Sequence, residues 1–206
     1  RVLDRELAGD NTGDRVVRQL DIAASEFGKR GRYRLALEDR EMDTAALIDM
    51  LGRWIDRYPI VSIEDPVAED DQAGMVEFTR RFGTRVQIIG DDYLTTSALR
   101  VAEAKQDDAC NAVLIKVNQA GTLTETKAAL DAGKAAGFGT IVSARSGESE
   151  DVAIAHMAVG WNAGQLKVGS FARSERMAKW NEVLRIEEAL GKDAKFAGAA
   201  VLAKRK

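Results

Sequence analysis

The chain has 206 residues, 45% of them hydrophobic, which is enough for one substantial core. Its 30 basic and 33 acidic residues leave a net charge of −3, so neither a basic nucleic-acid surface nor an acidic tail is expected. No apolar run approaches the roughly 18 residues of a membrane span, while one cysteine, Cys110, and one histidine, His156, exclude an intrachain disulfide and a zinc centre but not a hard metal held by carboxylates.

Short apolar runs that stop at a polar residue recur along the chain. The first, "RQLDIAAS", reaches Asp21, and "GKRGRYRLALED" follows as a small β excursion around Gly31. "YPIVSIEDP" reaches Glu64 and "RVQIIGDD" reaches Asp91. Residues 96–105 then read as a helix with a Thr or Ser cap and apolar Leu99, Val101 and Ala102. "NAVLIKVN" places Lys116 at the end of an aliphatic strand, and a helix over 123–136 is closed by Gly137. "GTIVSARSGE" reaches Ser143 and Arg145, after which Ser149 is the expected cap of a helix that stops at Gly160. "GQLKVGS" reaches Lys167. The last helix begins near Ser174 and carries Met177, Trp180, Leu184 and Leu190 before Gly191.

From Glu64 onward the polar ends lie 27, 25, 27 and 24 residues apart, one strand, loop and helix each time; the first interval is 43. Such alternation predicts parallel βα units in one α/β domain covering residues 1–206. An open nucleotide-binding sheet would carry a glycine fingerprint after its first strand, and none is present. A barrel places its chemistry at the C-terminal ends of several strands. Six such ends here bear an ionisable or hydroxyl group, so a (β/α)8-type barrel with about six of its units is the expected fold.

Asp21, Glu64 and Asp91 would converge as three carboxylates. Alone they repel, and a divalent cation relieves the repulsion; all-oxygen ligation suits Mg²⁺. Each could equally cap the following helix. Lys116 and Lys167 come next around the rim, where a neighbouring metal and second cation disfavour the ammonium form and favour a general base; the alternative is a lysine that snorkels to solvent or pairs structurally. Arg145, flanked by Ser143 and Ser146, forms a polar turn suited to an anion, with phosphate oxygens matching a guanidinium. A metal, a base and an anion clamp together suit proton abstraction beside a carboxylate, a pairing of Mg²⁺ with a Lys or His base that is general to enolase-superfamily sites. Cys110 reads as buried and inert, the tryptophans and His156 as packing residues, and "AKFAGAAVLAKRK" as a short tail or helix with a solvated basic end.

"LDIAASEF" (20–27), "YPIVSIEDPVAEDD" (58–71), "IIGDD" (88–92), "LIKVNQAGTLTE" (114–125), "VSARSGESED" (142–151), "GQLKVGSFARSERMAKWN" (164–181) and "LRIEEALG" (184–191) together resemble the C-terminal half of the enolases, phosphopyruvate hydratases, in family order. The resemblance implies that Asp21, Glu64 and Asp91 hold Mg²⁺ and that Lys116 removes the C2 proton of 2-phosphoglycerate. It implies that Lys167 neutralises the substrate carboxylate and that Arg145 and Ser146 hold the phosphate. It further implies a cytoplasmic glycolytic lyase, at least a homodimer, with no nucleic-acid or membrane partner. Two features depart from the family pattern. Ala144 stands where the motif Ser-His-Arg-Ser has histidine. A chain beginning at Arg1 is expected to be a processed form or a fragment, without the preceding part that in the family supplies a capping domain, mobile loops and the acid for the leaving group. Both departures also fit a paralogue acting on a related acid, or an enolase-like binding protein without catalysis.

Overall fold

The computed structural model describes residues 17–202. Strand β1 (Arg18–Asp21) leads into a three-stranded antiparallel ribbon of β2 (Gly28–Lys29), β3 (Arg32–Leu35) and β4 (Arg40–Asp43). The expected β excursion is therefore present. Its first turn has positive φ at both Arg30 and Gly31, the geometry whose twist matches a two-residue hairpin. Helix α1 (Thr44–Arg57) follows, capped by Asp43, whose side chain accepts from the Ala46 N–H at 2.8 Å.

The remaining units alternate. They are β5 (Ile60–Glu64), α2 (Gln72–Phe82), β6 (Gln87–Gly90), α3 (Ala98–Gln106), β7 (Ala112–Ile115), the short α4 (Val117–Ala120), α5 (Leu123–Ala135), β8 (Gly139–Ser143), α6 (Ala153–Gly160), β9 (Gly164–Lys167) and α7 (Ser174–Leu190). The main sheet runs β1-β5-β6-β7-β8-β9, and every neighbouring pair in it is parallel. This is the α/β wall of a (β/α)8-type barrel with six strands.

Period-2 alternation divides each strand between two faces. Ile63, Ile88, Val113, Ile115 and Val142 join the larger core shared with the helices, including Leu47, Leu51, Phe78 and Leu130. Ile89, Ala112, Leu114 and Ile141 form a separate buried cluster on the inner face. Polar side chains share that inner face: Gln87 and Gln165, on β6 and β9, exchange amide hydrogen bonds at 3.0 and 2.9 Å. Such a bond between non-adjacent strands requires a strongly curled sheet.

Several expectations change at the helices. Helix α3 starts at Ala98 with Ser97 as its cap, and Leu99 is exposed rather than in the core. Ser149 does not cap α6; its hydroxyl accepts from the Asp151 N–H, and the Asp151 side chain accepts from the Ala153 N–H at the helix start. In α7 the buried positions are Arg176 and Lys179, while Leu184 and Leu190 lie outside the core. His156 is exposed and bonded to Glu182 at 2.9 Å instead of packing. Trp54 is exposed, and Trp180 stacks on Phe171. Cys110 is buried as expected, and burial pushes its thiol up to about 12. Beyond α7 come two short 3-10 turns, Gly191–Asp193 and Gly198–Val201; the basic end at 203–206 lies outside the described residues.

Candidate active site

The C-terminal ends of the strands meet in a cleft of about 490 Å³ whose lining includes Asp21, Asp91, Lys116, Arg145, Ser146 and Lys167. The strand ladders explain the convergence. Asp21 stands opposite Glu64 on the neighbouring strand, and Ser143 opposite Lys167. Since β-residues two apart share a face, Gln19 and Asp21, Ser62 and Glu64, Leu114 and Lys116, and Gln165 and Lys167 fall on the inner face. Of the polar residues singled out in the sequence as site candidates, Asp21, Asp91, Lys116, Arg145, Ser146 and Lys167 line the cleft directly. Glu64 is fully buried and reaches the cleft only through its bonds to Lys167. Ser143 is buried too, and its hydroxyl donates to the Ala144 carbonyl at 2.8 Å. Ala144 also lines the cleft and has no side-chain polar atom to offer it.

Lys167 donates to Asp21 Oδ2 at 2.8 Å and to the two Glu64 oxygens at 2.8 and 2.7 Å. Burial pushes Glu64 up to about 7; the Lys167 ammonium opposes that rise and Asp21 adds to it. Burial works against the Lys167 ammonium, but Glu64 and Asp21 outweigh it and hold its pKa above the ordinary value. That is opposite to the direction expected of a rim lysine, because two carboxylates, rather than a second cation, are its nearest charges.

Lys116 donates to Asp91 Oδ2, and Gln119 Nε2 donates to Asp91 Oδ1 at 2.9 Å. Thr96 orders this group: its hydroxyl donates to Gln119 Oε1 at 2.6 Å and accepts the Lys116 N–H at 3.0 Å. Both Asp91 oxygens are therefore engaged. The strand-end lysine of the aliphatic run is turned into the cleft and paired there.

One tight acidic group, Asp65, Asp91 and Asp92, has carboxylate oxygens within 4.8 Å of one another among the described residues. It shares only Asp91 with the trio expected from sequence; Asp21 and Glu64 are both bonded to the Lys167 ammonium. Asp65 sits at positive φ, and its oxygens accept the Asp91 and Asp92 N–H groups at 2.9 and 2.8 Å. Burial pushes Asp65 up to about 7 against those two bonds. Burial and the neighbouring Asp91 raise Asp92 as well, with Lys116 and Arg145 opposing. Sequence reading missed Asp65, Asp92, Thr96 and Gln119. The doublets "ED" and "DD" were visible, but their division between ordering the backbone and facing the cleft depends on the turn geometry.

The donor set suits a hard divalent cation: buried or half-buried carboxylates, all oxygen, already drawing positive charge onto themselves. With the two lysines and Arg145 it can gather a multiply charged anion and accept a proton from it. Comparison with known proteins identifies the family. Residues 6–205 match the family model for enolase, C-terminal TIM barrel domain. The chain is 50% identical over 200 residues to Enolase 1 of Desulfitobacterium hafniense (strain Y51), an alignment covering 96% of this chain and 46% of that protein. It thus spans less than half the length of this curated relative. A curled parallel sheet with its acidic, lysine and arginine side chains gathered at the strand ends, matched along nearly its whole length, belongs to the enolase family.

Proposed function

We propose that this chain is the catalytic barrel portion of a lyase that reversibly dehydrates 2-phosphoglycerate to phosphoenolpyruvate. The observation that supports the reading best is the presence of Asp21, Asp91, Lys116, Arg145, Ser146 and Lys167 around one cleft. Asp21, Glu64 and Asp91 would hold Mg²⁺, with Asp92 beside them. When bound, Mg²⁺ supplies positive charge next to the substrate carboxylate. Arg145 pairs with the phosphate, since a guanidinium matches its oxygens and Ser146 adds a hydroxyl donor. Lys167 faces the carboxylate and meets the charge that grows there as the C2–H bond breaks. Lys116, as the free amine, takes the C2 proton onto Nζ, leaving the electron pair to delocalise into the carboxylate. The half-reaction carried by these residues is this proton transfer.

The reading brings with it a small phosphorylated carboxylic acid as partner, a cytoplasmic glycolytic setting and at least a homodimer. No described helix is long and apolar enough to cross a membrane. Ala144 favours a second reading, a related acid as substrate or binding without catalysis, because a methyl group stands in the cleft wall beside Arg145.

Solvent-deuterium exchange at C2 tests the first reading in the intact protein with Mg²⁺. Wild type is expected to exchange the proton of 2-phosphoglycerate, and Lys116→Ala to lower the rate by about 10²–10⁴-fold, the contribution of a positioned base. Equal exchange in the variant would remove Lys116 from the role. Absence of exchange in wild type, with the ligand still bound, would favour the second reading.

A further inference from the structure

Helix α7 has an unusual interior. Its buried residues are two cations, Arg176 at 9% exposure and Lys179 at 1%, whereas α1, α2 and α3 bury mainly apolar side chains. A buried charge is costly unless every donor is met. Lys179 meets all three of its donors: the Ser149 carbonyl at 2.8 Å, the Glu175 carbonyl at 2.9 Å and Glu148 Oε2 at 3.0 Å. Arg176 donates to the Val168 carbonyl at 2.9 Å and the Ser146 carbonyl at 2.8 Å. Glu148 completes the chain, because its other oxygen accepts the Arg145 N–H at 2.7 Å.

Four of these bonds end on the loop after β8, at Arg145, Ser146, Glu148 and Ser149, and one on the loop after β9. The Ser146 carbonyl is bonded to Arg176 of α7, the Arg145 N–H is bonded to Glu148, which Lys179 of α7 holds, and both Arg145 and Ser146 line the cleft. The Arg145 guanidinium makes no hydrogen bond among the described residues, so its own side chain does not set its place.

We propose that Arg176 and Lys179 are positioning residues for the anion clamp: from within α7 they fix the backbone of residues 144–149, Lys179 through Glu148, and thereby hold Arg145 and Ser146 against the phosphate of the ligand. The inference rests on the phosphate-binding reading of Arg145 and Ser146. Neither α7 cation touches the reacting atoms. Each acts through the loop, and a misplaced binding group weakens its ligand even when the group itself is intact.

The test uses the intact protein, with inorganic phosphate and 2-phosphoglycerate as ligands and Mg²⁺ affinity as the internal control. Lys179→Met is expected to weaken phosphate binding and raise KM by about tenfold or more, with a smaller change in kcat and unchanged Mg²⁺ affinity. Glu148→Ala should reproduce that pattern. Glu148→Gln has one acceptor oxygen and a donor NH2, so it can meet the Arg145 N–H or the Lys179 ammonium but not both, and it should weaken phosphate binding as Glu148→Ala does; wild-type phosphate affinity in Glu148→Gln overturns the proposed bridge. Wild-type phosphate affinity in folded Lys179→Met overturns the proposal, as does parallel loss of phosphate and Mg²⁺ binding. If Lys179→Met does not fold, Glu148→Ala decides by the same readout. Arg145→Ala separates the two levels: unchanged phosphate affinity there overturns the clamp and the inference together, while loss there with none in Lys179→Met or Glu148→Ala overturns the inference alone.

Discussion

Glu64 shows how one buried carboxyl can be read at two levels. It is fully buried, held on Lys167, and pushed up to about 7 from an ordinary value of 4.5; Asp65 beside it is raised to about 7 from 3.8. With the folded pKa above the unfolded one, the folded state binds more protons between those values. Stability from these two groups therefore declines as pH rises from about 4 to about 7 and does not recover above it. Thermal melting of metal-free protein across that window should show the decline, and Glu64→Gln should flatten it. A steeper decline in the variant would refute the assignment. Calorimetry on the same variant should show weaker Mg²⁺ binding than wild type if Glu64 is a ligand. From sequence, Glu64, Asp91, Lys116 and Lys167 could be picked out because each ends an apolar run. Which carboxylate pairs with which lysine could not, because ion pairing depends on how far around the curled sheet each strand end lies.

At the scale of the element, helix α5 packs closely on β7 and β8 at Gly133. A Cβ built there would stand 2.8 Å from Val113 Cγ1 and 3.1 Å from Thr140 Cγ2, both on buried β-branched side chains that have little room to turn. Alanine has the higher helix propensity by about 1 kcal/mol, but overpacking a tight core costs about 1–3 kcal/mol. Since the obstructing methyls belong to adjacent buried strands, the second effect wins. Gly133→Ala should lower stability by about 1 kcal/mol or more in urea titration; a more stable variant would show that the strands yield. Element identity was legible where apolar runs were short and aliphatic, as in β5 to β8. Helix faces were less so. The apolar residues Met177, Trp180, Leu184 and Leu190 do not mark the buried positions of α7, which are Arg176 and Lys179, because the surface facing those two is a loop of backbone carbonyls and Glu148 rather than an apolar sheet.

Across the whole molecule, Lys167 links the two ends of the strand order. It sits on β9 and bonds to Asp21 on β1 and Glu64 on β5, the opposite end of the sheet. Removing its charge leaves Glu64 buried without a cation. Lys167→Met is expected to cost about 3–5 kcal/mol at pH 8, the range for breaking one side of a buried pair. The loss should shrink near pH 5, where Glu64 takes up a proton. Urea titration at the two pH values checks this, and an equal loss at both would show that packing, not charge, carries the effect. The sequence by itself determined the parallel βα alternation, the six polar strand ends and the kinship with enolases, because apolar periodicity and ordered motifs are local properties of a chain. Only the tertiary structure decided that Lys167 spans the sheet, that Asp65 and Asp92 join Asp91, and that two cations of α7 grip the Arg145 loop. Those depend on the curl of the sheet and on desolvation, which arise only when distant segments exclude water together.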